Sequence, residues 1–145
     1  MEAQRISAPQ DLEAAFAIRH EVFVAGQNVP PEAEHDAYDA AGATHYLARA
    51  ADGTPCGAAR WRKTDAGVKL ERFAVLTEYR NQQAGAALLQ QVLLDVDAAW
   101  PGAKVYLNAQ LPAVRFYERH GFGKVGEMFE ECDIQHYQMV RHTGS

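Results

Sequence analysis

Apolar residues recur along the chain with two different spacings, and the changes of spacing predict alternating helices and strands. Residues 9–23 have a helical pattern; Pro9 suits its first turn, and Ser7 is the expected N-cap. Three strand patterns with short turns then span residues 44–76, which predicts an antiparallel meander. The connection between these two regions, about residues 25–43, has no clear period, and connections of this length are often functional.

The second half of the chain continues the alternation. The clearest helical pattern covers residues 84–99, and a strand pattern at residues 103–109 follows it. A short helix is expected at residues 111–120, because Gly121 is a typical helix-ending residue. A closing strand pair is expected at residues 122–141. The order β-α-loop-βββ-α-β-α-ββ predicts a mixed α/β or α+β sheet with helices on its faces.

Composition narrows the class of protein without identifying it. The 145 residues suit one domain, residues 1–145, and 48% hydrophobic residues are enough for a core. The net charge of -5 argues against a nucleic-acid partner. No apolar run approaches the ~20 residues that cross a bilayer, so no membrane association is expected. Two cysteines in a chain of this size are expected to be reduced thiols in a cytoplasmic protein.

The stretch YRNQQAGAALLQQVLLD begins at Tyr79 and joins the third meander strand to the long helix. Backbone N–H groups at a helix start favour anions, and Gly85 and Arg80 would help a phosphate approach. The stretch lacks the glycine patterns of nucleotide-triphosphate and dinucleotide loops. From spacing alone, either a phosphate site or an ordinary polar turn fits it.

Two segments together resemble the GNAT acetyltransferase superfamily. Arg80 and Gly85 match its loop motif, although Gln83 stands where the family usually has glycine. The later motif is matched by Asn108, Ala113 (shifted by one or two places), Phe116, Tyr117, Gly121 and Phe122.

The resemblance continues on both sides of these motifs, where the chain is similar to the ElaA/YjcF-like subgroup of small bacterial GNAT proteins. Gly26 departs from it, because the subgroup usually has glutamate there. The matching positions before the meander are Arg19, Val22, Phe23, Val24, Gln27, Glu34, Asp36, Asp39 and His45. Near the end of the chain they are Ile134, His136 and Met139.

The resemblance implies a fold, a co-substrate and the residues that bind it. The GNAT fold has a mixed central sheet of about six or seven strands flanked by about four helices. The co-substrate would be acetyl-CoA, with no metal. Its pantetheine arm would pair with the backbone of Phe73, Ala74 and Val75, and its thiol end would lie near Asn108 and Phe116. Its pyrophosphate would be bound by the amides of Arg80, Asn81, Gln82, Gln83, Ala84, Gly85 and Ala86.

The implied reaction is direct acetyl transfer to an amine, and it needs a base, an oxyanion donor and an acid. Tyr117 is the expected acid for the leaving thiolate, and a backbone N–H near Val75 is the expected oxyanion donor. Glu71 is the candidate base, directly or through water. Strand alternation places it on the same face as Phe73. The alternative for Glu71 is a solvated carboxylate, paired with Arg60 or Arg62.

Several other residues, and the chain as a whole, have two possible interpretations each. The acidic residues Glu34, Asp36 and Asp39 would either attract a cationic amine or form a solvated loop. His136 would either face the cleft or serve as a structural histidine. The whole chain would be either an active enzyme or an inactive CoA-binding or interaction module. A small amine or a peptide is the expected acceptor, and the resemblance also suggests a homodimer.

Overall fold

The computed structural model describes residues 1–142, which form one sheet with helices on both faces. The strands are β1 (Glu2–Arg5), β2 (Ala43–Arg49), β3 (Pro55–Thr64), β4 (Gly67–Val75), β5 (Val105–Gln110), β6 (Phe122–Glu131) and β7 (Ile134–Arg141). The α-helices are α1 (Pro9–Arg19), α2 (Pro31–Glu34), α3 (Ala84–Ala99) and α4 (Val114–Arg119). The predicted mixed sheet and the predicted order of elements are confirmed.

The seven strands lie side by side in the order β1-β2-β3-β4-β5-β7-β6. The meander β2-β3-β4 is antiparallel, as predicted, and so are the pairs β5-β7 and β6-β7. The neighbours β4 and β5 run parallel, because α3 carries the chain across the sheet between them. The sheet therefore changes its direction of pairing at its centre.

Helix α1 differs from the helix predicted at residues 9–23. The α-helical part ends at Arg19, and the chain continues as a π-helix over His20–Ala25. Its N-cap is Ala8, in extended conformation and without a side-chain cap bond, so the predicted capping role of Ser7 is wrong. The π-helix widens the turn, which is a feature often found beside functional sites.

Helix α3 matches its predicted bounds and packs on one face of the sheet. Leu88, Leu89, Val92 and Val96 are fully buried in a core that includes Tyr46. Burial of one such aliphatic side chain is worth about 1.5–3 kcal/mol. This packing fixes the position of the α3 N-terminus beside the end of β4.

Helix α1 and the π-helix that follows it cover the opposite face with a smaller core. Ile18 and Val22 pack there against Leu47, Ala58 and Ala74 of the meander. Leu47 alternates with Tyr46, which belongs to the α3 core, so successive residues of β2 serve the two faces. We refer below to the α3 face and the α1 face of the sheet.

Candidate active site

A cleft opens where β4 and β5 separate. The two strands pair from Val68 with Val105 to Leu70 with Leu107, and within residues 1–142 the pairing ends there. Beyond this point the cleft has a volume of about 920 Å³ and is lined by both strands, by the N-terminus of α3 and by α4. Backbone groups of the separated strand ends are therefore available to a ligand lying between them.

A β-bulge lies in the part of β4 that lines the cleft. Ala58 pairs with Ala74 and Arg60 pairs with Glu71, so β4 has one more residue than β3 in this interval. Arg72 has a φ of 58°, and the extra residue reverses the alternation beyond it. Glu71 consequently faces the α1 face, whereas Phe73 contacts Tyr117 on the α3 face. The prediction that Glu71 and Phe73 share a face is wrong, because it assumed an unbroken strand.

The predicted phosphate loop lies at the mouth of the cleft. Arg80, Asn81, Gln83, Ala84, Gly85 and Ala86 line it, whereas Gln82 turns away and donates from Nε2 to the Glu78 carbonyl at 3.2 Å. Asn81 and Gln83 adopt left-handed conformations, with φ of 66° and 69°. The first turn of α3 begins directly after Gln83. Its leading N–H groups point out of the helix towards the cleft mouth.

Gly85 determines the space between this loop and α4. A Cβ atom at Gly85 would lie 3.4 Å from Cζ of Phe116, which is a tight contact. Glycine therefore leaves the gap between the first turn of α3 and the Phe116 ring open. A narrow gap beside free amides suits a phosphate followed by a slender chain, so these residues fit the CoA group.

Tyr117 follows Phe116 in α4 and lies in a group of aromatic rings. Its ring meets Phe73, Phe116 and Phe122 edge to face, with centroids 6.2, 5.0 and 5.8 Å away. Tyr117 is only 7% exposed and lines the cleft. Burial raises the pKa of its hydroxyl, so the group is protonated at neutral pH.

The opposite wall of the cleft is made by the end of β5. Asn108 lines the cleft, as does Gln110. The Gln110 side chain exchanges two hydrogen bonds with the Gln27 side chain, at 2.8 and 3.0 Å. This amide pair joins the segment after α1 to the sheet. Gln27 matches the subgroup pattern in the sequence, but Gln110 could not be predicted, because nothing local indicates a partner so distant in the chain.

Glu71 is buried among cations at the α1 side of the cleft. Its carboxylate accepts hydrogen bonds from Arg60 at 2.8 Å and from Arg62 at 3.1 Å, and Lys69 lies 3.2 Å away. Burial acts to raise the pKa of Glu71, but the charges of Arg60, Lys69 and Arg62 outweigh it and lower the pKa. The predicted pairing with Arg60 and Arg62 is confirmed, but the carboxylate is not solvated.

The acidic residues of the connection after α1 are also paired rather than free. Buried Arg19 donates to Glu34 at 2.6 Å and to Asp39 at 2.7 Å. Arg60 donates to Asp36 at 2.7 Å and to Asp39 at 2.7 Å. The prediction of a solvated acidic loop is therefore wrong for Glu34 and Asp39, which are 6% and 5% exposed. Their pairing with Arg19 also disfavours direct attraction of a cationic amine.

We call this group the ion cluster: Arg19, Glu34, Asp36, Asp39, Arg60 and Glu71. Burial acts to raise the pKa of Asp39, but hydrogen bonds from Arg19, the Asp36 backbone amide and the charge of Arg60 hold it below its ordinary value. The cluster joins the segment after α1 to β3 and β4. It thereby fixes one wall of the cleft.

Within residues 1–142, no group of three or more His, Cys, Asp or Glu side chains is arranged to hold a metal ion. Over the same residues, no helix is both long enough and apolar enough to span a membrane.

Comparisons with known proteins indicate the family of this chain. The model of the acetyltransferase (GNAT) domain family matches residues 7–142. The uncharacterized N-acetyltransferase YjcF of Bacillus subtilis is 38% identical over 134 residues, covering 91% of this chain and 93% of YjcF. The crystal structure of Escherichia coli ElaA has a TM-score of 0.85 and 30% identity, covering 97% of this chain and 99% of ElaA. An acyl-CoA N-acyltransferase from Pseudomonas aeruginosa has a TM-score of 0.83 and 29% identity, covering 97% of each chain.

Proposed function

This chain belongs to the GNAT acetyltransferase family, and we propose that it transfers an acetyl group from acetyl-CoA directly to a primary amine. The observation that carries this proposal is the opening between β4 and β5, with the α3 N-terminus at one mouth and Tyr117 inside. Residues of both faces line the opening, Glu34 and Glu71 on the α1 face and Tyr117 on the α3 face, so a donor and an acceptor can meet between the strands.

The pyrophosphate of CoA is assigned to the amides of residues 80–86. The free N–H groups of a helix start supply partial positive charge there. Arg80 is exposed beside them and holds the Val75 carbonyl from Nε at 3.3 Å. The pantetheine arm is assigned to the backbone of Phe73, Ala74 and Val75, and its thiol end to the space near Asn108 and Phe116.

Acetyl-CoA supplies a thioester, and the residues of this chain manage charge and protons around it. A backbone N–H near Val75 is the proposed donor to the carbonyl oxygen as negative charge develops. Tyr117 is the proposed acid that gives its proton to the departing sulfur. Its burial supports this role, because the hydroxyl keeps its proton at neutral pH until the thiolate forms.

The role of Glu71 as base remains a prediction from sequence. Its contacts support a base that works through water at best, because two arginines and a lysine occupy its oxygens and lower its pKa. A group with a low pKa is a weak proton acceptor. The same contacts suit a residue that holds the cleft wall.

A second candidate function is CoA binding without turnover, as a sensor or an interaction module. The left-handed conformation of Gln83 favours it, because a side chain stands where phosphate would approach the backbone. In either case, a small amine or a peptide is the proposed acceptor class, and dimerisation is a separate prediction that light scattering would check.

Two measurements test the proposal. Calorimetric titration with CoA and acetyl-CoA is expected to give micromolar binding. Thiol release from acetyl-CoA is then followed with ethanolamine, glucosamine, spermidine and a lysine-containing peptide as acceptor probes. Amine-dependent release that falls about 100-fold or more in Tyr117→Phe, with CoA affinity unchanged, would support the enzyme. CoA binding without any amine-dependent release would favour the second candidate, and no binding would contradict both.

A further inference from the structure

His136 lines the cleft on the side opposite to Tyr117. In β7 it pairs with Gln110 of β5 and with Phe129 of β6. The β5-β7 register is unbroken from His136 to Val140, so Met139 points to the opposite face. Met139 belongs to the same core as Tyr117. His136 and Tyr117 therefore approach the cleft from opposite faces of the sheet.

The imidazole ring of His136 is held in one orientation. Its Nδ1 atom lies 2.7 Å from the Ile134 carbonyl oxygen, and the ring stacks on Phe129 with centroids 5.6 Å apart. A carbonyl oxygen only accepts hydrogen bonds, so Nδ1 carries the proton. In the neutral ring, Nε2 is then left with a lone pair.

This lone pair is available to a ligand. Within residues 1–142, Nε2 of His136 has no hydrogen-bond partner, and it is not among the buried polar atoms without partners. His136 is 8% exposed, and it lines the cleft together with Gln27, Gln110 and Ile134. The surroundings exclude most bulk water but leave Nε2 accessible from the cleft.

We propose that Nε2 of His136 is the base that takes the proton from the attacking amine. This deepens the proposed function and rests on it. The nitrogen of the neutral amine forms the bond to the acetyl carbon, and its proton passes to Nε2. The bond between carbon and sulfur breaks, and the thiolate takes a proton from Tyr117. Solvent then removes the proton from His136 and returns one to Tyr117.

The geometry separates the two proton transfers. In this proposal the amine approaches the thioester from the α1 face, where His136 lies, and the sulfur departs towards Tyr117 on the α3 face. A base and an acid on opposite faces can act in sequence without exchanging their protons directly.

His136 is better placed for this step than Glu71. The oxygens of Glu71 are engaged by cations, whereas Nε2 of His136 has no hydrogen-bond partner among residues 1–142. The charged groups that line this part of the cleft with His136 are Glu34, Lys69, Glu71, Arg72 and Glu131. The first four come from α2 and β4, and Glu131 comes from the end of β6. Four of the five are paired with opposite charges and Glu131 is solvent-exposed, which leaves the imidazole of His136 as the buried and unpaired base among the described residues that line this part of the cleft.

The first test is His136→Asn, because the asparagine amide can keep the hydrogen bond to Ile134 without providing a base. We expect kcat to fall at least 100-fold for any acceptor probe that the thiol-release assay shows to be acetylated. The CoA dissociation constant and KM for acetyl-CoA should stay within two-fold. His20→Asn is the matched control, since His20 is exposed and does not line the cleft. Full activity in His136→Asn would overturn the proposal while leaving the proposed function intact.

The second test does not depend on turnover. A long-range ¹H–¹⁵N correlation spectrum of the CoA-bound protein reports which imidazole nitrogen carries the proton, with the His136 signal assigned from the spectrum of His136→Asn. We expect the Nδ1-protonated form at neutral pH. A proton on Nε2 would overturn the proposal even if acetyl transfer is observed. If the wild-type protein transfers no acetyl group to any probe, the proposed function fails and the role of His136 as base fails with it.

Discussion

The two sides of the cleft are stabilised by different kinds of interaction. On the α3 side, aromatic rings, a glycine and the N-terminus of a helix line the space, and the nearby core is apolar. On the α1 side, buried ion pairs hold the wall, with Arg19 and Arg60 each 1% exposed. The α3 side suits a ligand that the whole family shares, because backbone amides bind phosphate whatever the side chains are. The α1 side offers specific charges and amides, which suit discrimination between acceptors.

The difference also concerns stability. The apolar side is stabilised mainly by burial, with a few hydrogen bonds such as that from Tyr46 to Asp95, whereas the ion cluster is stable only while every charge has its partner. Arg60 is central, because it contacts Asp36, Asp39 and Glu71 together. Removing one member therefore affects the whole wall.

The largest expected effect comes from Arg60→Met. The methionine fills much of the space but takes the Arg60 charge away from Asp36, Asp39 and Glu71, so the free energy of unfolding should fall by about 3–5 kcal/mol. Urea unfolding at neutral pH measures this. The control is Arg49→Met, because the ion pair of Arg49 with Asp11 is about one-third exposed on both sides and is worth at most about 1 kcal/mol. Equal losses in the two variants would show that the ion cluster is not what holds the α1 side.

The same contrast explains which features of the cleft could be predicted from the sequence and which could not. The α3 side is encoded by short segments, so the helix at residues 84–99 could be located from its periodicity, and the loop at 80–86 and the pair Phe116–Tyr117 from their resemblance to short family motifs. The α1 side depends on contacts between residues far apart, such as Gln27 with Gln110. Such contacts leave no periodic signal in one sequence.

The β-bulge at Arg72 is the other feature that could not be predicted from the sequence. A non-glycine residue with φ of 58° breaks strand alternation without a glycine or proline to mark it. The sequence pattern placed Glu71 and Phe73 on one strand, which is confirmed, but it predicted that they share a face, which is wrong. Register is set by pairing with β3, which is a tertiary property.

The second prediction uses pH to weaken the α1 side selectively. Neighbouring arginines lower the pKa of Asp36, Asp39 and Glu71 in the folded protein. Their stabilisation is therefore complete above the unfolded carboxylate pKa of about 4 and is lost as the pH falls through the lower native pKa. We expect the free energy of unfolding to decline steeply below about pH 4.

Urea unfolding between pH 7 and pH 2.5 checks this decline. In Arg60→Met the partner charge is missing, so the native pKa values of the carboxylates should lie closer to ordinary values and the decline should be shallower. Parallel curves for the two proteins would mean that other carboxylates cause the acid sensitivity.

The smallest expected effect tests the α3 side at Gln83. Its φ of 69° costs on the order of 1 kcal/mol for a residue with a Cβ atom, and its side chain stands at the proposed phosphate position. Gln83→Gly should tighten acetyl-CoA binding about five-fold in calorimetry, because glycine lets phosphate approach the backbone. Asn81→Gly is the matched control: Asn81 has φ of 66°, but asparagine tolerates this conformation better, so a smaller gain is expected. Unchanged or weaker binding in Gln83→Gly would mean that the glutamine amide donates to the phosphate and offsets the strain. In that case the α3 side, too, would use a specific side chain.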